Sequence, residues 1–196
     1  MLYDITQPLF DSVVFPGDPA PVRTVACDME KGDLYNLTYL SMCAHNGTHV
    51  DAPRHFIRDG KTIDELSLER FTGSCFVATV DGDVSAEEAK SILARAKIAR
   101  SGAEKKILIR GKATVTLEAA TVFAEAGTEL LGNESQTVGP EDAPMQVHLV
   151  TLGAGMVLLE GIRLSAVKDG TYFLNCAPVN LNGAEGAPCR AWLMDL

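Results

Sequence analysis

Residues 45–56 read HNGTHVDAPRHF and hold three of the chain's four histidines together with an aspartate. His45, His49, Asp51 and His55 follow the pattern H-x3-H-x-D-x3-H. On a helix the first two histidines would share a face, as i and i+4 pairs do in metal sites. Gly47 and Pro53 oppose a helix, because glycine is entropically costly inside one and proline lacks the N–H. In extended chain His49 and Asp51, two residues apart, point the same way, and a bend at Gly47 folds His45 back to meet them. Two imidazoles and a carboxylate suit a divalent transition ion such as zinc or manganese. Three protein ligands leave a position open for water, the arrangement of catalytic rather than structural sites. An ion so held lowers the pKa of water to about 7, supplying hydroxide at neutral pH. His55, further along the loop, is placed to act as general base or acid instead of ligand. Loop histidines are usually solvated or hydrogen-bonded, and the His45/His49 pair alone is weak evidence. Asp51 and His55 in the same Gly- and Pro-bent loop turn the balance toward a metal site.

The fourth histidine, His148, falls on a predicted helix over Asp142–Leu152, with Pro144 in its first turn and Gly153 ending it. Glu160 ends the apolar strand predicted over Met156–Leu159. Taken singly, these are an ordinary helix-surface residue and a solvated strand end. Yet a helix packs on the strand that follows it, and the carboxyl ends of strands are where α/β sheets place their sites. With Asp51 as a bridge, His148 and Glu160 would complete a second metal position. Two ions about 3.5–4 Å apart clamp a substrate oxygen between them.

Elements able to position these residues can be read around them. FPGDPAPV (15–22) has three prolines and a Pro-Gly signal, hence loop or irregular extended chain. Tyr35–Cys43 suits a strand leading into the histidine loop, and Cys75–Val80 a short buried strand before an Asp81-Gly82 turn. Ser85 and Glu88 form a capping box that opens a helix to about Arg100, with Ile92, Leu93, Ala96 and Ile98 as its apolar stripe. Lys106–Arg110 is a buried-type strand, Thr116–Ala126 a helix stopped at Gly127, and Glu129–Leu131 a short strand. Tyr172–Ala177 and Ala191–Met194 supply late strands. Strands alternating with helices predict an α/β domain with a largely parallel layer, spanning residues 1–196 without a repeat or dividing linker.

Composition narrows the partners. A formal net charge of −9 argues against nucleic acid, which needs clustered Lys and Arg, and weakens attraction to an anionic membrane. No apolar run approaches the roughly 20 residues of a spanning helix, and MLYDITQPLF carries Asp4 where a secretion signal would be basic or apolar. The 5 cysteines are scattered and form no C-x-x-C pair, so they read as reduced thiols in a cytoplasmic protein. Cys43 and Cys176 read as buried packing rather than nucleophiles, since no basic partner is evident. Asp64-Glu65, Arg54 and Arg190 read as solvated charges.

The loop HNGTHVDAPRHF resembles the H-x-G-T-H-x-D-x-P-x-H signature of the cyclase family of metal-dependent hydrolases, which includes bacterial kynurenine formamidases and isatin hydrolases. YDITQPL with FPGDP resembles that family's N-terminal segment, and GNESQTVGP, the His148–Glu160 spacing and GAEGAPCRAWL are similar in character. The resemblance implies a compact three-layer β/β/α (swivelling-type) domain with a mixed sheet. It further implies a homodimer or higher homo-oligomer with one or two divalent ions per subunit, zinc or manganese. It assigns His45, His49 and Asp51 to the first ion, Asp51, His148 and Glu160 to the second, and acid–base catalysis to His55. Two departures bear on substrate. Where kynurenine formamidases resemble D-T-x-S-V-D-P, residues 134–140 read ESQTVGP, with Gly139 for the second aspartate; Phe15 stands where tryptophan is common.

The expected activity is hydrolysis of a small-molecule amide, either an arylformamide such as N-formylkynurenine or a cyclic amide. A lyase or cyclase using the ion to stabilise an enolate, and a non-catalytic metal- or ligand-binding protein, are the alternatives. The second has no use for His55.

Overall fold

A computed structural model describes residues 1–196. In chain order its elements are β1 (Leu2–Asp4), β2 (Val22–Cys27), β3 (Leu37–Ser41), β4 (His49–Asp51), β5 (Thr72–Thr79), β6 (Gly82–Val84), α1 (Ala86–Ala99), β7 (Lys106–Arg110), β8 (Ala113–Val115), α2 (Leu117–Glu125), β9 (Leu130–Asn133), α3 (Met145–Gly153), β10 (Val157–Glu160), β11 (Gly170–Asn175), β12 (Gly186–Pro188) and β13 (Trp192–Asp195). A 9-stranded mixed sheet has the order β1-β13-β11-β5-β7-β9-β10-β4-β12.

The mixed sheet that the family resemblance implies is present, and the parallel layer expected from alternating strands and helices is only its middle. β5, β7, β9 and β10 are parallel, whereas β11, β13 and β1 on one side and β4 and β12 on the other pair antiparallel. The physical reason is the supply of crossovers. Parallel neighbours need a long return, usually a helix, and the three α-helices all lie between β5 and β10. Outside that stretch the chain has none, so its strands meet antiparallel.

Side-chain alternation divides the interior in two. Phe76, Ala78, Ile107, Ile109, Leu131 and Leu158 pack beneath the helices with Ile92, Ala96, Phe123 and Leu152. Their neighbours Val77, Leu108, Leu130, Val157 and Leu159 point the other way and meet Val50, Leu174, Ala187 and Leu193 from the outer strands. The sheet thus covers its second face with its own margins, giving β/β/α layering.

Local signals held where they were strongest. The Ser85 hydroxyl accepts the Glu88 N–H at 3.2 Å, and α1 buries Ala89, Ile92 and Ala96. Ile98, expected on that stripe, is 87% exposed, because two residues turn a helix by roughly 200° from Ala96. α3 begins at Met145 rather than Asp142, with Pro144 as its N-cap. The β2–β3 ribbon stands apart from the main sheet; its second strand was expected and its first was not. Asp64 is exposed, as read, and also clamps a loop, accepting from the Gly183 N–H and from Asn182. No helix is long and apolar enough to cross a membrane.

Cys75, Cys176 and Cys189 are buried, whereas Cys27 and Cys43 are intermediate. Cys176 therefore fits the packing role, but Cys43 lies partly open, 3.7 Å from the Asp18 carboxylate. Burial pushes the Cys75 and Cys189 thiols up to about 12 and raises Cys176 as well. Since the thiolate is the reactive form, iodoacetamide at pH 8 is expected to label only Cys27 and Cys43 in native protein and all five after unfolding, counted by intact mass.

Candidate metal centre

β4 lies between β10 and β12, and its register sets the chemistry. Glu160 pairs with His49 and Leu158 with Asp51. Residues opposite one another share a face, so Glu160, His49 and Asp51 gather on one side while Val50 and Leu159 enter the core. That side is covered by α3, which carries His148. Before β4, Gly47 adopts φ 71, a left-handed value glycine takes without steric cost, and the chain doubles back to bring His45 over Asp51. After β4, a 3-10 turn at Pro53–His55 lays the His55 ring 4.2 Å from that of His45, centroid to centroid.

The six residues singled out in the sequence converge. His45 Nδ1 is 2.8 Å from Asp51 Oδ1, and His49 Nε2 lies 3.3 Å from the same oxygen and 3.4 Å from Glu160 Oε2. His148 Nε2 is 3.7 Å from Asp51 Oδ2 and 3.5 Å from Glu160 Oε1. Asp51 therefore faces all three imidazoles. His55 is partly exposed, stacked on His45 and set edge-on against Phe56 at 4.6 Å. Around them is a cleft of ≈ 220 Å³, bordered by Phe15, Phe56, Gln136 and Thr137 as well as the histidines.

Electrostatics here follow from burial opposed by proximity. Burial disfavours charge on His49, but the close carboxylates of Asp51 and Glu160 outweigh it and lift the imidazole to about 10. The same contest, with Glu160 as the main partner, brings His148 to about 9 and raises His45 beside Asp51. Burial opposes ionisation of Asp51, yet His45 and His49 hold it well below the usual carboxylate range. His55 moves the other way: burial, reinforced by the charges of His45 and His148, lowers it.

The donor set fits a divalent cation. Among buried polar side-chain atoms, His49 Nε2 and Asp51 Oδ2 have no hydrogen-bond partner, although buried polar groups are nearly always satisfied. Both point into the cluster, where imidazole nitrogens and carboxylate oxygens form a mixed N/O set of the kind zinc and manganese accept.

The Cyclase family model, described as "Putative cyclase", matches residues 3–140. A kynurenine formamidase from Bacillus cytotoxicus is 30% identical, covering 98% of this chain and 97% of that enzyme. The chain belongs to the cyclase family. A solved structure titled a potential metal-dependent hydrolase with cyclase activity superposes with TM-score 0.83 at 25% identity, covering 100% of this chain and 98% of that one. Isatin hydrolase A from Labrenzia aggregata, bound to benzyl benzoate, shares the fold at TM-score 0.83 and 20% identity, over 100% of this chain and 93% of its own.

Within this cyclase-family chain, the departure at Gly139 has a steric basis. A Cβ there would lie 3.1 Å from Val147 Cβ on α3, so an aspartate would need that side chain to give by a few tenths of an ångström. Phe15 keeps an aromatic wall at the cleft. Sequence reasoning overlooked Glu185, whose carboxylate lies 3.3 Å from His45 Nε2. It also overlooked Gln136, whose amide donates to the Gly47 carbonyl at 3.2 Å. Both sit inside segments that resemble the family, ESQTVGP and GAEGAPCRAWL, but neither has a local pattern that marks a role.

Raised imidazole values mean that His49 and His148 carry protons at neutral pH in metal-free protein, whereas metal ligation requires them deprotonated. Ion uptake at pH 7 is therefore expected to release protons, and apparent affinity to fall as pH falls. Calorimetric titrations in buffers of different ionisation enthalpy measure this release directly.

Proposed function

We propose that this chain is a metal-dependent hydrolase of a small-molecule amide, cleaving a carbon–nitrogen bond other than a peptide bond. The observation that carries the reading is the convergence of three imidazoles on two buried carboxylates, with a further histidine, lowered in pKa, at the mouth. In this reading His45, His49 and Asp51 hold one divalent ion, Asp51, His148 and Glu160 a second, and zinc or manganese suits the set. A divalent ion bound there polarises a carbonyl and lowers the pKa of water.

The chain's own residues do the rest. His55, neutral near pH 7, accepts the proton of the attacking water and returns it to the leaving nitrogen, as general acid–base catalysis requires. Phe15 and Phe56 offer flat apolar walls, which suits an aryl or cyclic amide, N-formylkynurenine among them. A cleft of ≈ 220 Å³ is small even beside typical ligand pockets of roughly 300–1,000 Å³, so the substrate is a small molecule. His55→Ala is expected to keep metal content while kcat falls by about 10²–10⁴-fold; if turnover survives, the role is wrong. Asp51→Asn is expected to lower occupancy at both positions, read by elemental analysis. Solvent oxygen label must enter the product; its absence would point to a lyase or cyclase instead.

The active form is proposed to be a homodimer joined through the β2–β3 ribbon, within one catalytic unit of residues 1–196 and in a reducing cytoplasm that suits its five free thiols. Leu34, Tyr39 and Leu40 are 93%, 63% and 57% exposed, and a lone two-stranded hairpin is marginal in water. The ribbon leaves the cleft after Asp18 and returns just before His45, so a second copy covering it would also border the site. Tyr39→Ser combined with Leu40→Ser is expected to halve the mass seen by light scattering; an unchanged dimer would place the contact elsewhere.

A further inference from the structure

Each imidazole facing Asp51 has one ring nitrogen turned toward the carboxylates and the other engaged from behind. For His49 the rear partner is the Gly47 carbonyl, accepting from Nδ1 at 3.0 Å. For His148 it is the Pro144 carbonyl, accepting from Nδ1 at 2.9 Å. His45 differs on both counts. Its Nδ1 is the nitrogen that meets Asp51, at 2.8 Å, and its rear nitrogen, Nε2, faces a carboxylate, Glu185 Oε1, at 3.3 Å.

Two features of the same segment hold that arrangement. Pairing of β12 with β4 sets Gly186 opposite Asp51, and a Cβ at Gly186 would lie 2.7 Å from His45 Cε1. The ring therefore rests on bare backbone. Glu185 is anchored by its own main chain, whose carbonyl accepts the Ala52 N–H at 2.8 Å. Its side chain is 44% exposed at the rim, so replacing it removes little from the core.

We propose that Glu185 is a positioning residue: with Gly186 it seats His45 so that Nδ1, and not Nε2, is presented to the metal centre. Nε2–H donates to the Glu185 carboxylate, which selects the tautomer, orients the ring and makes His45 a stronger donor than a backbone carbonyl would. The inference rests on the metal reading above and extends it to a residue outside the ligand set. It also predicts an asymmetry, because Glu185 serves the position that uses His45 and not the one that uses His148.

Chelator-treated wild type, Glu185→Ala and Glu185→Gln are titrated with Co²⁺ against a chromophoric competitor, with the visible Co²⁺ spectrum recorded and folding checked by circular dichroism. Glu185→Ala is expected to weaken one of two binding steps by about 10–100-fold and alter that step's spectrum, leaving the other step near wild type. Glu185→Gln, which keeps an acceptor oxygen, is expected to recover part of the loss. Two unchanged steps in Glu185→Ala beside a loaded wild type would overturn this inference alone, as would equal loss at both steps. A wild type that takes up no Co²⁺ would overturn the metal reading with it.

Discussion

Placing two carboxylates side by side in the interior is the constraint on which this molecule turns. Asp51 is 1% exposed and Glu160 2%, and a buried ion without compensation costs several kcal/mol. Compensation comes from several directions at once. Three imidazoles surround the pair, and the Val138 N–H donates to Glu160 Oε1 at 2.8 Å. Even so, Asp51 Oδ2 and His49 Nε2 remain without partners. A fold tolerates such groups when binding a cation repays their desolvation, so the gap in the hydrogen bonding and the chemistry are one feature.

The scaffold around the cluster exists to hold the loop that carries it. Gln7, from the N-terminal segment, donates its backbone N–H to the Thr48 hydroxyl at 3.0 Å and its side-chain amide to Gln136 at 2.6 Å. Thr48 in turn donates to the Gly161 carbonyl at 2.7 Å, tying the histidine loop to the residue after Glu160. Gly161 has φ 68, and a Cβ there would lie 2.3 Å from Gln136 Oε1 and 2.6 Å from the Gly47 carbonyl. Glycine is thus required by both conformation and space. Misplacement of a loop by about 1 Å is enough to cost a site's chemistry heavily, and much of the hydrogen bonding here lies outside the carboxylate–imidazole cluster, around the loop that carries it.

Charge separates the histidines into two kinds. Those facing Asp51 and Glu160 are held in favour of the proton, while His55, stacked above them and farther from the carboxylates, is held against it. Residues of one type in one cleft thereby acquire opposite proton affinities, because a few ångströms decide whether carboxylate attraction or burial prevails.

Much was determined by sequence alone. The Gly and Pro of HNGTHVDAPRHF forbade a helix, period-two spacing put His49 and Asp51 on one face, and capping residues located α1 and α2, because these are local properties of adjacent residues. The family signature was equally local, and it named four of the six residues that meet, His45, His49, Asp51 and His55. Tertiary structure alone decided how they meet. Antiparallel entry of β4 beside β10 places Glu160 opposite His49, and nothing near either residue encodes that pairing. The same holds for β12, too short to be read as a strand until it pairs, and for Glu185, which gains a role only through that pairing. Mixed rather than parallel architecture was implied by the family resemblance but not by local pattern, since strand direction depends on which connections carry helices across the whole chain. Periodicity and capping act over a few residues, whereas register and burial are settled by contacts between distant ones.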